Sequence, residues 1–176
     1  MDGNFYVDGK PPFPQNTGTN FSLTTVNQPL VPSGWLPFLG GYFNYVGKGL
    51  YLRGFGSCSS GATPGSFGVN FFWGNNTANN GTNLGGVSYT WTASQSNTMF
   101  CFELWARCRA LGSSGSLFCY GNFFIAGSGI IHWPYQNPVA TTVDLTANNY
   151  ISPQVNRSGS TAETMACYHM FHQSLN

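Results

Sequence analysis

The sequence predicts an all-β chain: an antiparallel β-sandwich of jelly-roll type, preceded by an extended, proline-rich amino-terminal arm. Three observations carry this. Apolar and polar residues alternate with period two in several runs, the mark of strands with one face buried. Clusters of Gly, Asn, Ser and Pro separate those runs at spacings of about 8–12 residues, as in antiparallel sandwiches. Pro11, Pro12, Pro14, Pro29 and Pro32 crowd the start of the chain, where that density forbids helix and interior strand.

The arm is expected over residues 1–34 and the sandwich domain over 35–176. Phe5, Tyr6, Phe13, Phe21 and Leu23 lie between the arm's prolines, too many apolar side chains for a solvated tail. The arm is therefore expected to lie on a neighbouring subunit, on an underlying protein surface or around its own domain. Residues 35–45 are apolar but cut by Pro37, Gly40 and Gly41, an irregular lead into the first strand at 49–57. There Leu50 and Leu52 share one face, and Tyr51 and Arg53 the other. A turn at 59–65 brings back a strand over 67–73. The polar stretch 74–86 has no periodicity and reads as a loop, followed by a short strand at 89–92.

Residues 99–126 are the centre of the design. Phe100, Phe102, Leu104, Ala106 and Cys108 alternate with Cys101, Glu103, Trp105, Arg107 and Arg109. After Gly112-Ser113-Ser114-Gly115, Leu117, Cys119, Gly121, Phe123 and Ile125 alternate with Phe118, Tyr120, Asn122 and Phe124. A two-residue tip at Ser113-Ser114 would set Cys108 opposite Cys119, Leu104 opposite Phe123 and Phe102 opposite Ile125. One face is then continuous core. The other carries Trp105, Arg107, Arg109, Phe118 and Tyr120, too aromatic for a plain solvated surface, and is expected to be a packing or contact face.

Beyond the hairpin, a Gly-rich stretch leads to a strand at 139–145, with Val139, Thr141, Val143 and Leu145 on one face. Asn148-Asn149 forms a turn. A short strand follows over 150–155, interrupted by Pro153, and the last strand spans 164–175. Its Ala166, Tyr168 and Met170 oppose Met165, Cys167, His169 and Phe171.

Charge sets the functional class. Only 6% of the 176 residues are Asp, Glu, Lys or Arg, against roughly 25% in ordinary soluble proteins. A net charge of +1 offers no electrostatic footprint for nucleic acid and little protection from association, so much of the surface is expected to be covered by copies of the chain or by a larger assembly. Five cysteines at irregular spacing read as reduced core thiols, although the expected Cys108–Cys119 juxtaposition would allow a bridge under oxidising conditions. The acidic start MDGNFYVDGK lacks the basic and apolar regions of a signal peptide, and no apolar run is long enough to span a membrane. Synthesis in a cytoplasm, with no membrane partner, is the expectation.

The series GKGLYLRGFG, then FCFELWARCRALGSSG, then TTVDL, resembles a recurrent pattern in small structural proteins of tailed bacteriophages. Gly47, Lys48, Leu50, Leu52, Arg53 and Gly56 fit its first strand, Phe100, Glu103, Arg109, Gly112 and Gly115 its hairpin, and Val143, Asp144 and Leu145 its third element. Order and approximate spacing agree over roughly residues 45–175. The resemblance implies a capsid cement or decoration protein: a jelly roll on the virion head surface that binds the major capsid protein, associates as a homotrimer and stabilises the shell. Phe5, Tyr6, Phe13, Phe21, Trp105, Arg107, Arg109, Phe118 and Tyr120 are then the expected capsid or subunit interface.

Enzymatic residues are not expected. Glu103 reads as half of a structural ion pair with Arg107, Arg109 or Arg53, and nothing in the spacing sets a second carboxylate against it. Cys167 and His169 would share a face of the last strand with His172 pointing away and His132 elsewhere, short of a zinc ligand set; no metal or cofactor is expected. The alternative function is a tail, fibre or head-surface module recognising host carbohydrate through Trp91, Trp133, Tyr135 and the Asn-rich loop 75–83.

Overall fold

The computed structural model describes residues 21–30, 38–74, 81–126, 129–132, 140–158 and 163–175. These form strands β1 (Phe21–Ser22), β2 (Gln28–Pro29), β3 (Gly49–Ser59), β4 (Ser66–Gly74), β5 (Thr82–Thr90), β6 (Thr98–Ala110), β7 (Gly115–Ile125), β8 (Gly129–His132), β9 (Thr141–Val143), β10 (Tyr150–Ser158) and β11 (Thr164–Leu175), with no helix among the described residues. Two antiparallel sheets face each other. The larger runs β1-β11-β3-β6-β7-β8, with β9 also paired to β7, and the smaller runs β2-β10-β4-β5. The chain is an all-β antiparallel sandwich, as its alternation predicts.

Alternation decides which side chains meet between the sheets. Leu50 and Leu52 of β3, Phe100, Phe102 and Leu104 of β6, and Leu117, Phe123 and Ile125 of β7 are sealed from solvent, against Phe67, Val69 and Phe71 of β4 and Ile151 and Val155 of β10. Aromatic rings tie the two sheets edge to face: Phe67 to Phe123 at 5.4 Å between centroids and Phe71 to Phe102 at 5.5 Å. Each fully buried side chain of this size contributes about 1.5–3 kcal/mol.

The central hairpin keeps its expected faces but not its expected register. Ser113 and Ser114 do form the tip, closed by Gly115 N donating to Gly112 O at 3.0 Å, with Gly112 at φ +93°, where a side chain would be strained. On the β6 side, however, a register irregularity between Cys108 and Ala110 moves the pairing along. Cys108 faces Leu117, Cys119 faces Ala106, Leu104 faces Gly121 and Phe102 faces Phe123. The slip is two residues, so every side chain stays on its own face. All five cysteines are free thiols.

Three other segments depart from expectation. The stretch 74–86 is not all loop, because β5 begins at Thr82; its Gly-rich, uncharged sequence hides the period. Pro153 does not interrupt β10, which runs unbroken against β4. Its carbonyl accepts from Leu30 N at 2.8 Å, and in an antiparallel strand a residue's nitrogen points the same way as its carbonyl. The missing N–H therefore faces the two-residue strand β2 and costs no bond to β4. In β11 a bulge between Cys167 and His169 resets the alternation, placing Cys167 opposite Gly56 on the inner face and His169 opposite Phe55 on the outer. These two do not share a face.

Within the expected arm, residues 21–30 pack on their own sandwich. β1 pairs with β11 of the larger sheet and β2 with β10 of the smaller, so this strap crosses from one sheet to the other and buries Leu23 and Leu30. Arg157 holds it: Nε donates to Leu23 O at 2.5 Å, and Nη1 lies 3.3 Å from Oε2 of the fully buried Glu163. Leu23 N in turn donates to Glu163 O at 3.0 Å. Phe5, Tyr6 and Phe13 lie outside the described residues.

Candidate functional site

Cross-strand register lays the outward residues of the larger sheet in rows. One row is Gln173, Tyr51, Trp105 and Tyr120; the next is Phe171, Arg53, Glu103 and Asn122; a third is His169, Phe55, Cys101 and Phe124. Their rings touch in an unbroken series across β11, β3, β6 and β7. Phe55 meets His169 at 5.2 Å, His169 meets Phe171 at 6.1 Å, Phe171 meets Tyr51 at 6.1 Å, Tyr51 meets Trp105 at 5.0 Å, Trp105 meets Tyr120 at 5.3 Å and Tyr120 meets Phe118 at 6.1 Å. Each aromatic pair adds about 0.5–1.5 kcal/mol beyond area burial, so the rings brace one another across four strands.

The polar row beneath the ladder is internally neutral. Glu103 accepts from Tyr51 Oη at 2.5 Å and from Asn122 Nδ2 at 3.1 Å, and its Oε1 lies 3.7 Å from Arg53 Nε. Of the three arginines expected as partners, the fold selects Arg53, because β3 and β6 set residues 53 and 103 directly opposite. Burial, then the hydrogen bond to Glu103 and its charge, holds the Tyr51 phenol above its ordinary value, so it remains a donor. Arg53 Nε also donates to Cys101 Sγ at 3.3 Å. The outward face of the larger sheet is thus aromatic, with Arg53 and Glu103 paired within it.

Of the expected interface residues, Trp105, Phe118 and Tyr120 stand together in this ladder. Arg107, opposite Phe118, and Arg109, at the bulge, are exposed at its hairpin end. Phe21 sits apart, in β1 opposite Met165. Sequence reasoning missed Phe55, His169 and Phe171 as members. The alternation of β3 held the signal for Phe55, but the bulge that turns His169 and Phe171 outward leaves no local trace.

The carbohydrate residues do not assemble. Trp91 is 4% exposed and packs 4.4 Å from Phe67 within the core, so it offers no face to a sugar. Trp133, Tyr135 and residues 75–80 lie outside the described residues. Among the described residues no three His, Cys, Asp or Glu side chains converge as metal ligands.

No protein-family model and no curated protein sequence matches the chain.

Proposed function

We propose that the chain is a structural protein of a tailed-phage virion, a cement or decoration subunit that docks through the aromatic outer face of its larger sheet. The ladder from Phe55 to Phe118 carries the reading. It is a broad aromatic surface, with Arg107 and Arg109 exposed at its hairpin end, on a chain with too few charges to remain comfortably solvated alone. The sequence resemblance supplies the partner class: the major capsid protein beneath it, with further copies of the chain, as a homotrimer, beside it. Phe5, Tyr6 and Phe13 add contact from the amino-terminal segment in this reading, and the protein's role is mechanical, with no catalysis. Many modest contacts repeated over a shell resist internal pressure by the arithmetic of multivalent attachment.

The test is rebinding. Purified protein is sized by light scattering, then added to heads stripped of it. A trimer that restores the shells' heat resistance supports the proposal, and Trp105→Ala should weaken rebinding at least tenfold. Protein that ignores stripped shells, or binds them equally well with Trp105 removed, overturns it.

A further inference from the structure

The smaller sheet presents an opposite character on its outer side: a polar groove of about 400 Å³ lined by Ser66, Gly68, Asn70, Gly86, Ser88, Asn156, Arg157 and Ser158, among others. Two glycines inside its strands make room for neighbouring carboxamides along its floor. A Cβ at Gly68 would stand 2.7 Å from Asn156 Oδ1 and 3.2 Å from Asn70 Nδ2, and one at Gly86 would stand 2.5 Å from Asn70 Oδ1. Interior glycine marks a place where other atoms approach the strand closely, and here those atoms are the Asn70 and Asn156 side chains and the Val69 carbonyl. Here it lets two carboxamides lie flat across β4, β5 and β10. Asn156 is oriented by accepting from Gly68 N at 3.1 Å, Asn70 by donating to Asn27 Oδ1 at 3.3 Å, and Ser66 and Ser158 share a hydrogen bond at 2.6 Å.

We infer that this groove is a binding site for a neutral saccharide. Its side chains present amide and hydroxyl groups that both donate and accept, the complement of a polyhydroxylated ring. Among the described residues its lining holds no carboxylate to attract a cation. The one cation among the described lining residues, Arg157, is committed to Glu163 and Leu23 O, which removes the attraction an anion would need. The lining also lacks the large apolar pockets that anchor peptide side chains. Without an aromatic platform each site binds weakly, in the millimolar range, and repetition over a particle supplies the avidity. The outer faces of a sandwich point in opposite directions, so docking through the aromatic ladder would leave this groove facing away from the shell.

The experiment is an amide-resonance titration of the full chain with neutral oligosaccharides of glucose, galactose, rhamnose and N-acetylglucosamine. At least one should shift the Gly68, Gly86 and Ser88 signals saturably. Ser88 is exposed, so Ser88→Tyr fills the groove from its solvent side and should weaken binding at least tenfold with an unchanged melting temperature. Trp105→Ala, on the far face, should leave saccharide binding intact, which separates failure of this site from failure of shell docking. The inference is overturned if no oligosaccharide moves those signals, if the shifts persist in Ser88→Tyr, or if inorganic phosphate or a short neutral peptide moves them where the sugars do not.

Discussion

Arg157 Nη1 lies 3.3 Å from Glu163 Oε2, with the glutamate wholly buried and the arginine side chain 20% exposed. Six positions apart in sequence, the two sit on neither side of a hairpin core. They meet where the strap 21–30 crosses from one sheet to the other. Removing one partner of such a pair leaves a charge without compensation, which costs more than the pair itself contributes.

Glu163→Ala should therefore destabilise the fold by about 3 kcal/mol, the low end for a buried pair because Arg157 retains some solvent. For a chain of this size that corresponds to a melting temperature lower by roughly 6–12 °C. Glu163→Gln, which keeps the shape, should lose less. Hydrogen exchange at Leu23 N, bonded to Glu163 O, should accelerate in the alanine variant before exchange in β6 does.

The Trp105 and Tyr120 rings are 7° from parallel at 5.3 Å. A double-mutant cycle to alanine should return a coupling of about 0.5–1.5 kcal/mol in urea denaturation. Each single variant should remain folded.

Trp91 is buried, and its indole Nε1 has no hydrogen-bond partner among the described residues. Trp91→Phe removes that unsatisfied donor while opening a small void. The two effects oppose each other, so stability should stay within about 1 kcal/mol of the parent. Trp91→Ala, which loses the packing against Phe67, should cost about 3–5 kcal/mol. Thermal denaturation of the two variants measures the contrast.

Burial pushes the thiols of Cys58, Cys119 and Cys167 up to about 12 and raises Cys108 above its ordinary value. The half-buried Cys101 lies on the outer face. A thiol-reactive chromophore at neutral pH should label Cys101 first and all five cysteines only after denaturation, and Cys101→Ser should abolish the fast phase. The sign of the alkaline effect follows from linkage. A group raised in the fold contributes in full below its unfolded value, near 9, and that stability is lost as pH rises toward 12. The melting temperature should fall across that window, and Cys58→Ala should flatten the fall.

Period-two alternation makes β3, β6 and β7 legible because it is a local property of the pleat. It assigned Leu50, Phe102 and Phe123 to the core and Trp105, Phe118 and Tyr120 to the outer face without reference to any partner strand. The same alternation does not fix the hairpin pairing, which lies two residues from the expected one. A two-residue slip preserves both faces, so hydrophobic pattern alone does not separate the two registers. β5 is not legible as a strand because Leu84-Gly85-Gly86 carries little contrast between faces.

Composition and alternation by themselves determined an all-β chain with an inward apolar face, an aromatic outward face and very little charge. These properties reside in single residues and their immediate neighbours. Only the tertiary structure decided that Arg53 is the partner of Glu103, that the β11 bulge sends His169 and Phe171 to the aromatic face, that residues 21–30 strap the sandwich, and that Asn70 and Asn156 lie over Gly68 and Gly86. Each depends on strands distant in sequence arriving in one register. Register is set by the whole set of contacts, summed over both sheets.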